Sequence, residues 1–243
     1  MPVTAMSAYY TVHTPARLIL PPDDPVSRLG FSLLKFRTIE NTCMPNSPDP
    51  RKPLLQLIAT LSFRLGNFTL SSGARSDYYI DCRTTTLHAE GGRLAGLALY
   101  NLIREHNLQP QAVGGLTMGA DPIVSNVASA SAWAKIDQPE TPLIHGFLVR
   151  KAEKSHGTSR RIEGFFQPGA RVVVVDDVCT TGASTIQAIE AVRAADMQVA
   201  GVLCLVDRQE MGGRATVEAA AQGAPFLPLF TADDVRAAHI ASK

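Results

Sequence analysis

From Pro53 onward the apolar residues fall into a regular alternation of helical and extended patterns. Leu54, Leu55, Leu57, Ile58 and Leu61 form one face of a helix predicted to run to about Gly66. Phe68-Thr69-Leu70, a Ser-Ser-Gly turn and Tyr78-Tyr79-Ile80 then read as two strands joined by a turn, so a small subdomain stands ahead of the core. Leu94, Leu97, Ala98 and Leu102 follow helical spacing, and residues 112–115 read as a short buried strand. A helix over 122–132, a strand over 143–149 and a basic loop over 150–163 come next. Four consecutive valines, Val172 to Val175, mark a strand covered on both faces, followed by a helix over 184–194 and a strand over 199–206. This βα alternation predicts an α/β fold with a mostly parallel central sheet flanked by helices. Such sheets bind ligands beyond the carboxyl ends of their strands, which directs attention to the loops after Gly115, Val149, Val175 and Val206.

The first stretch, 1–46, breaks the pattern. It carries Pro21-Pro22-Asp23-Asp24 and Pro45, has little periodicity, and lacks the basic start, apolar block and cleavage site of a signal peptide. It is expected to be an irregular extension without a catalytic task, with Met44 an alternative start. Residues 47–243 then form one domain, with a subdomain over about 53–90 and a core over about 91–243. A chain of 243 residues buries enough surface for such a domain, and no apolar run is long enough to cross a bilayer. The net charge of +1 gives no bulk reason to bind nucleic acid or an anionic membrane. Four scattered cysteines without C-x-x-C spacing speak against a zinc site and a disulfide scaffold, and predict a reducing, cytoplasmic setting.

The chemistry concentrates in two segments. In the first, the valine strand runs into Asp176-Asp177-Val178-Cys179-Thr180-Thr181-Gly182-Ala183-Ser184-Thr185. A turn of small hydroxyl residues opening a helix offers unpaired amides and the positive end of the helix dipole to a phosphate dianion. The two acids one step earlier are placed to accept hydrogen bonds from vicinal ribose hydroxyls. Singly, Thr180, Thr181 and Ser184 could be helix caps and the acids a solvated loop start. In the second segment, residues 150–161 hold five Lys or Arg against one Glu, a surplus the whole chain does not show. A cationic loop closing over a departing diphosphate stabilises its charge and excludes water, whereas the plain alternative is a solvated basic turn.

The first segment resembles the motif that binds 5-phosphoribosyl 1-diphosphate (PRPP) in type I phosphoribosyltransferases. Arg150-Lys151-x-x-Lys154-x-His156-Gly157 is similar to the catalytic loop of orotate phosphoribosyltransferases in particular. Phe68-Thr69-Leu70-Ser71-Ser72-Gly73 resembles that family's hood over the pyrimidine, and Asp207-Arg208-Gln209-Glu210 its D-R-x-E segment. The resemblance implies the type I fold with an amino-terminal hood, and the conversion of orotate and PRPP to orotidine 5'-monophosphate (OMP) and diphosphate with Mg2+. It implies that Arg150, Lys151, Lys154 and His156 contact the diphosphate, with Lys151 reaching into the neighbouring subunit of a homodimer. It further implies that Asp176, Asp177, Thr180, Thr181, Gly182, Ala183 and Ser184 bind PRPP, and that Thr180 and Arg208 bind orotate. No dedicated protein ligands for a metal are expected.

Two family lysines are absent, replaced by Ser71 in the hood and Gly119 in Gly115-Leu116-Thr117-Met118-Gly119-Ala120. The backbone amides of 117–120 are expected to stand in at the second position, and Arg75 at the first. Two rival readings are a phosphoribosyltransferase for another nucleobase and a PRPP-sensing transcriptional regulator on the same fold. The regulator should carry a basic surface or a DNA-binding helix pair, and neither is evident.

Overall fold

The computed structural model describes residues 49–69, 73, 75–151 and 161–243. The extension over 1–46 with Met44, the hood residue Ser71, and Lys154 and His156 of the basic loop therefore lie outside the described residues.

The subdomain begins with α1 (Arg51–Leu57), which passes into a π-helical turn (Ile58–Ser62) and then into β1 (Phe63–Thr69). The helix thus stops short of the predicted end near Gly66. Pairing with β2 (Arg75–Ile80) explains why: Phe63 lies opposite Ile80 and Leu65 opposite Tyr78 in an antiparallel register. Phe63 is buried and stacks on Tyr78 with ring centroids 5.4 Å apart, so tertiary packing overrides the helical spacing. Two helices, α2 (Arg83–Thr86) and α3 (Ala89–Glu105), lead into the core.

The core strands are β3 (Ala112–Leu116), β4 (His145–Val149), β5 (Ile162–Gly164), β6 (Arg171–Cys179), β7 (Gln198–Asp207) and β8 (Phe226–Thr231). They form one sheet in the order β5-β4-β3-β6-β7-β8. Every neighbouring pair is parallel except β4 and β5. The helices α4 (Asp121–Asp137), α5 (Ala183–Ala194), α6 (Gly213–Ala221) and α7 (Ala232–Ala241) connect or follow the strands. The valine run feeds both faces in turn. Val173 and Val175 join a cluster with Ile123, Val127 and Leu99, while Val172 and Val174 join one with Ile189, Val192 and Val217. Burial on both sides is the reason this strand reads as continuous valine rather than as an alternating pattern.

Further elements differ from the sequence expectation. β6 holds Asp176 and Asp177, the acids in which the strand is expected to end, and runs two residues beyond them to Cys179, with Asp176 opposite Cys204 and Val178 opposite Val206 of β7. β5 arises inside the predicted 150–163 loop, its three residues pairing with β4 at the sheet edge. Beyond 206 the chain adds α6, β8 and α7, the last opened by a capping box in which Thr231 and Asp234 exchange hydrogen bonds.

The turn from β6 into α5 depends on Gly182, whose φ is +77°. A Cβ there would lie 2.5 Å from Val217 Cγ2 on α6. Gly182→Ala should therefore combine left-handed strain with a clash, lowering stability by about 1–3 kcal/mol. Thermal unfolding measures it, and an unchanged midpoint would show that the turn relaxes freely.

Candidate active site

The carboxyl ends of β3, β6 and β7 open into a cavity of about 560 Å³, closed on one side by residues of the hood. Both acids of β6 line it, together with Thr180, Thr181 and Ser184 from the turn that follows. Asp176 is buried, and its Oδ2 accepts a hydrogen bond of 2.9 Å from the Thr185 hydroxyl while its Oδ1 accepts one of 3.0 Å from the Asp177 amide. Asp177 Oδ1 accepts the Val178 amide at 3.0 Å. These three bonds are what hold two adjacent carboxylates at the end of a hydrophobic strand. They do not fully offset the loss of water: burial first, then the charge of Asp177, pushes the Asp176 carboxyl up to about 7. Burial likewise raises the Asp177 carboxyl above its usual range, with Asp81 adding to the effect.

The helix start beside the acids is left open. Gly182 occupies the N-cap position of α5 and supplies no side-chain bond, and the Thr181 hydroxyl receives the Ala183 amide only at 3.4 Å. Thr180, Thr181 and Ser184 face the cavity rather than capping the helix tightly. Gly182 and Ala183, between them in the chain, do not line the cavity themselves. This is the arrangement that accommodates an anion at a helix amino terminus.

The loop after β3 runs against the acid pair. A Cβ on Gly119 would fall 2.6 Å from Asp177 Oδ1, so glycine is what permits this approach. The amides of 117–120 are only partly available, because Thr117 N donates to Val149 O at 2.9 Å and Ala120 N to Leu116 O at 3.3 Å. Those of Met118 and Gly119 remain to serve a ligand.

Arg208 reaches the cavity from the end of β7 with its side chain 4% exposed. Its Nε lies 3.1 Å from Glu210 Oε2, its Nη2 lies 3.1 Å from Ser76 Oγ, and the guanidinium stands 4.4 Å from the centre of the Tyr78 ring. The Tyr78 hydroxyl donates to Glu210 Oε1, and burial together with that carboxylate pushes the phenol up to about 12. This set ties hood strand β2 to core strand β7. Arg208 is thus a buried, oriented cation rather than a surface ion pair. Asp207 has a different task, accepting Arg214 Nε at 3.0 Å and the Gln209 amide at 2.9 Å.

The basic segment is divided. Lys151 lines the cavity of its own chain and also a neighbouring one. Arg150 lines that second cavity and not the central one, its Nη1 3.3 Å from Glu163 Oε1. Arg75 does not line the central cavity; it borders a separate surface pocket with Asn67, Phe68 and Asp77. Instead, sequence reasoning missed Asp81 and Arg83, which line the central cavity as a bidentate pair, with Nε–Oδ1 and Nη2–Oδ2 distances of 2.8 and 2.7 Å. The available signal was an Asp-x-Arg step directly after Tyr78-Tyr79-Ile80.

Comparison with known proteins bears on the family and the fold. The family model described as phosphoribosyl transferase domain matches residues 86–215. The chain is 43% identical over 183 residues to the orotate phosphoribosyltransferase of Aquifex aeolicus, covering 74% of this chain and 94% of that one. It is 41% identical over 189 residues to that of Streptomyces coelicolor, covering 77% and 97%. Among solved structures, the Mycobacterium tuberculosis orotate phosphoribosyltransferase in complex with PRPP superposes with a TM-score of 0.59 at 31% identity, covering 78% of this chain and 93% of that one.

The raised Asp176 carboxyl carries a pH signature. Unfolded, the group ionises near pH 4; folded, it ionises near 7. Folding therefore takes up a proton between these values, and the free protein gains stability as pH falls through that window. Asp176→Asn, whose amide oxygen can keep the Asp177 N–H while its NH2 donates to the Thr185 hydroxyl, should melt a few degrees above the unsubstituted protein at pH 8, with the gap closing toward pH 5. A gap independent of pH, read by thermal melts across the range, would contradict the burial argument.

Proposed function

Because the chain belongs to the orotate phosphoribosyltransferases, we propose that the cavity is its active site and assign its residues accordingly. The enzyme transfers the phosphoribosyl group of PRPP to orotate, giving OMP and diphosphate, a step of pyrimidine synthesis. The observation that carries the assignment is the acid pair Asp176–Asp177 leading directly into an uncapped helix start, in one cavity with Arg208. The names of the relatives favour orotate over another nucleobase, and enzyme over regulator.

In this reading the 5-phosphate rests on the turn Thr180 to Ser184, and Asp176 and Asp177 accept hydrogen bonds from the ribose hydroxyls. Both acids must be ionised for that, which the hydroxyls and a cation favour over the free state. Arg208, oriented by Glu210, Ser76 and Tyr78, presents a planar donor to the orotate carboxylate or carbonyl edge, and Thr180 borders the same base. Orotate N1 displaces diphosphate at ribose C1. The ring nitrogen is acidic, so no strong general base is demanded, and the protein's work is positioning, charge stabilisation and exclusion of water. Arg150, Lys151, Lys154 and His156 form the cationic loop that receives the leaving diphosphate.

The donor set fits Mg2+ carried mainly on substrate and water oxygens. Three carboxylates, Asp81, Asp176 and Asp177, border the cavity, too few oxygen ligands to fill the shell of a hard cation without substrate and water. Asp176 and Asp177 would hold it through the ribose hydroxyls and water, and its chemistry there is neutralisation of the diphosphate charge. A homodimer with shared sites and a cytoplasmic setting complete the reading. The second is supported by the free, buried thiols of Cys82, Cys179 and Cys204.

Two experiments test these assignments. Purified protein with Mg2+ and PRPP, offered orotate, uracil, adenine, guanine and hypoxanthine in turn, should consume orotate alone; turnover of a purine without orotate would overturn the assignment. The second concerns Lys151, which lines the cavity of its own chain yet is expected to serve its neighbour. Lys151→Ala and Asp177→Ala, each inactive alone, should recover activity when mixed, since one site of a hybrid dimer regains both residues. No recovery despite hybrids seen by native mass spectrometry would mean that Lys151 acts at home.

A further inference from the structure

Three cationic side chains border the central cavity among the described residues: Arg83, Lys151 and Arg208. Arg208 is spoken for, since its Nε and Nη2 are bound by Glu210 and Ser76 and its side chain is 4% exposed. Arg83 differs on both counts. Its side chain is 45% exposed, and among the described residues its only ion-pair partner is Asp81, two residues earlier. An exposed pair of this kind contributes little to stability, so exchanging the carboxylate for another anion costs little. The Asp81 Oδ1 also accepts the Arg83 amide at 3.1 Å, which fixes the start of α2 and aims the side chain from a defined backbone position.

Resting on the functional reading above, we propose that Arg83 binds the diphosphate of PRPP, with Asp81 holding its guanidinium ready at the cavity wall until substrate arrives. The location favours the diphosphate over the 5-phosphate. Of the two acids of β6, Asp177 is the one whose charge acts on Arg83, and Asp177 Oδ1 lies against Gly119 in the loop after β3. The 5-phosphate belongs to the opposite flank of the acid pair, at the start of α5. Gly119 supplies no side-chain charge and two of its loop's four amides are already bonded within the fold, so the diphosphate lacks a cation there. A guanidinium fork meets two oxygens of a phosphate as it now meets two oxygens of Asp81. Three carboxylates, Asp81, Asp176 and Asp177, border the same cavity; moving Arg83 onto the substrate keeps its charge among them.

Arg83→Ala should weaken PRPP binding and inhibition by inorganic diphosphate at least tenfold each, measured by calorimetry and by initial rates with Mg2+ present. OMP, which carries no diphosphate, should bind within twofold of its normal affinity. Asp81→Asn removes the competing carboxylate but leaves the arginine, so diphosphate inhibition should be retained or strengthened. If the pair were merely structural, both variants would lose PRPP, diphosphate and OMP alike, and that result overturns the proposal. Unaltered diphosphate inhibition in Arg83→Ala overturns it as well. Should Arg83→Ala fail to fold, Arg83→Lys serves in its place: charge without the fork should give an intermediate loss confined to PRPP and diphosphate, and a loss shared with OMP overturns the idea. Turnover of orotate by the unsubstituted enzyme in the same assay separates a failure here from a failure of the functional reading.

Discussion

Two carboxylates side by side at the end of a buried strand are the constraint around which the rest of the site is arranged. In isolation such a pair is unfavourable twice over, through lost hydration and through mutual repulsion. The fold meets the first cost locally, with the Thr185 hydroxyl and the amides of Asp177 and Val178 all donating to the pair. It offsets neither cost in full, and the carboxyl of Asp176 is raised to about 7, by burial first and by the charge of Asp177 second. What a substrate brings, hydroxyl donors and a divalent cation, is what the empty pair lacks. Strain of this electrostatic kind is ordinary at sites that bind charged ligands, and here it is localised to the residues that the chemistry uses.

The pair also dictates its neighbours. Because Asp177 Oδ1 occupies the space beside position 119, a side chain there would force the carboxylate or the loop after β3 to shift, and glycine avoids this. Because β6 carries the acids as strand residues in register with β7, the next positions of the two strands open together, and Arg208 emerges beside Thr180. The hood is then fastened by the same arginine. Ser76 and Tyr78 of β2 meet Arg208 and Glu210, and Arg236 of α7 forms a bidentate pair with Asp77 at 2.8 Å. A change in how the hood sits therefore changes the environment of the base-binding cation directly, without an intermediate element.

Much of this was legible in the sequence, and the exceptions have a common cause. The Val172 to Val175 run and the residues 176–185 after it announce the buried strand, the acids and the helix start, since each is a local pattern with a local physical reason. The error near Gly66 and the missed strand β5 are products of pairing at a distance. Phe63 belongs to β1 only because Ile80 lies opposite, and Ile162 is extended only because Val149 offers an edge. Arg83 was overlooked for the same reason. The Asp-x-Arg step after Tyr78-Tyr79-Ile80 does not by itself distinguish it from a surface arginine; the distinction comes from the hood residues and the ends of β3, β6 and β7 lining one cavity. Arg75, which is nearer to the missing hood lysine in sequence, points to a different surface pocket.

The distribution of positive charge around the cavity follows from these placements. A lysine at position 119 would bring its cation into contact with Asp177, but its Cβ would lie 2.6 Å from a carboxylate oxygen, and the loop would have to move aside. With glycine the loop sits close and contributes amides instead, so a cation must come from elsewhere. Arg150 is held by Glu163 over the adjoining pocket, and Arg208 is held by Glu210 and Ser76. The remaining described cations are Lys151, from the core side, and Arg83, from the hood side. A site that closes on its substrate needs charge from both walls, because a cation fixed on one wall alone stabilises the departing diphosphate without drawing the hood toward it. The Asp81–Arg83 step gives the hood such a charge at the point where the chain leaves β2 for the core.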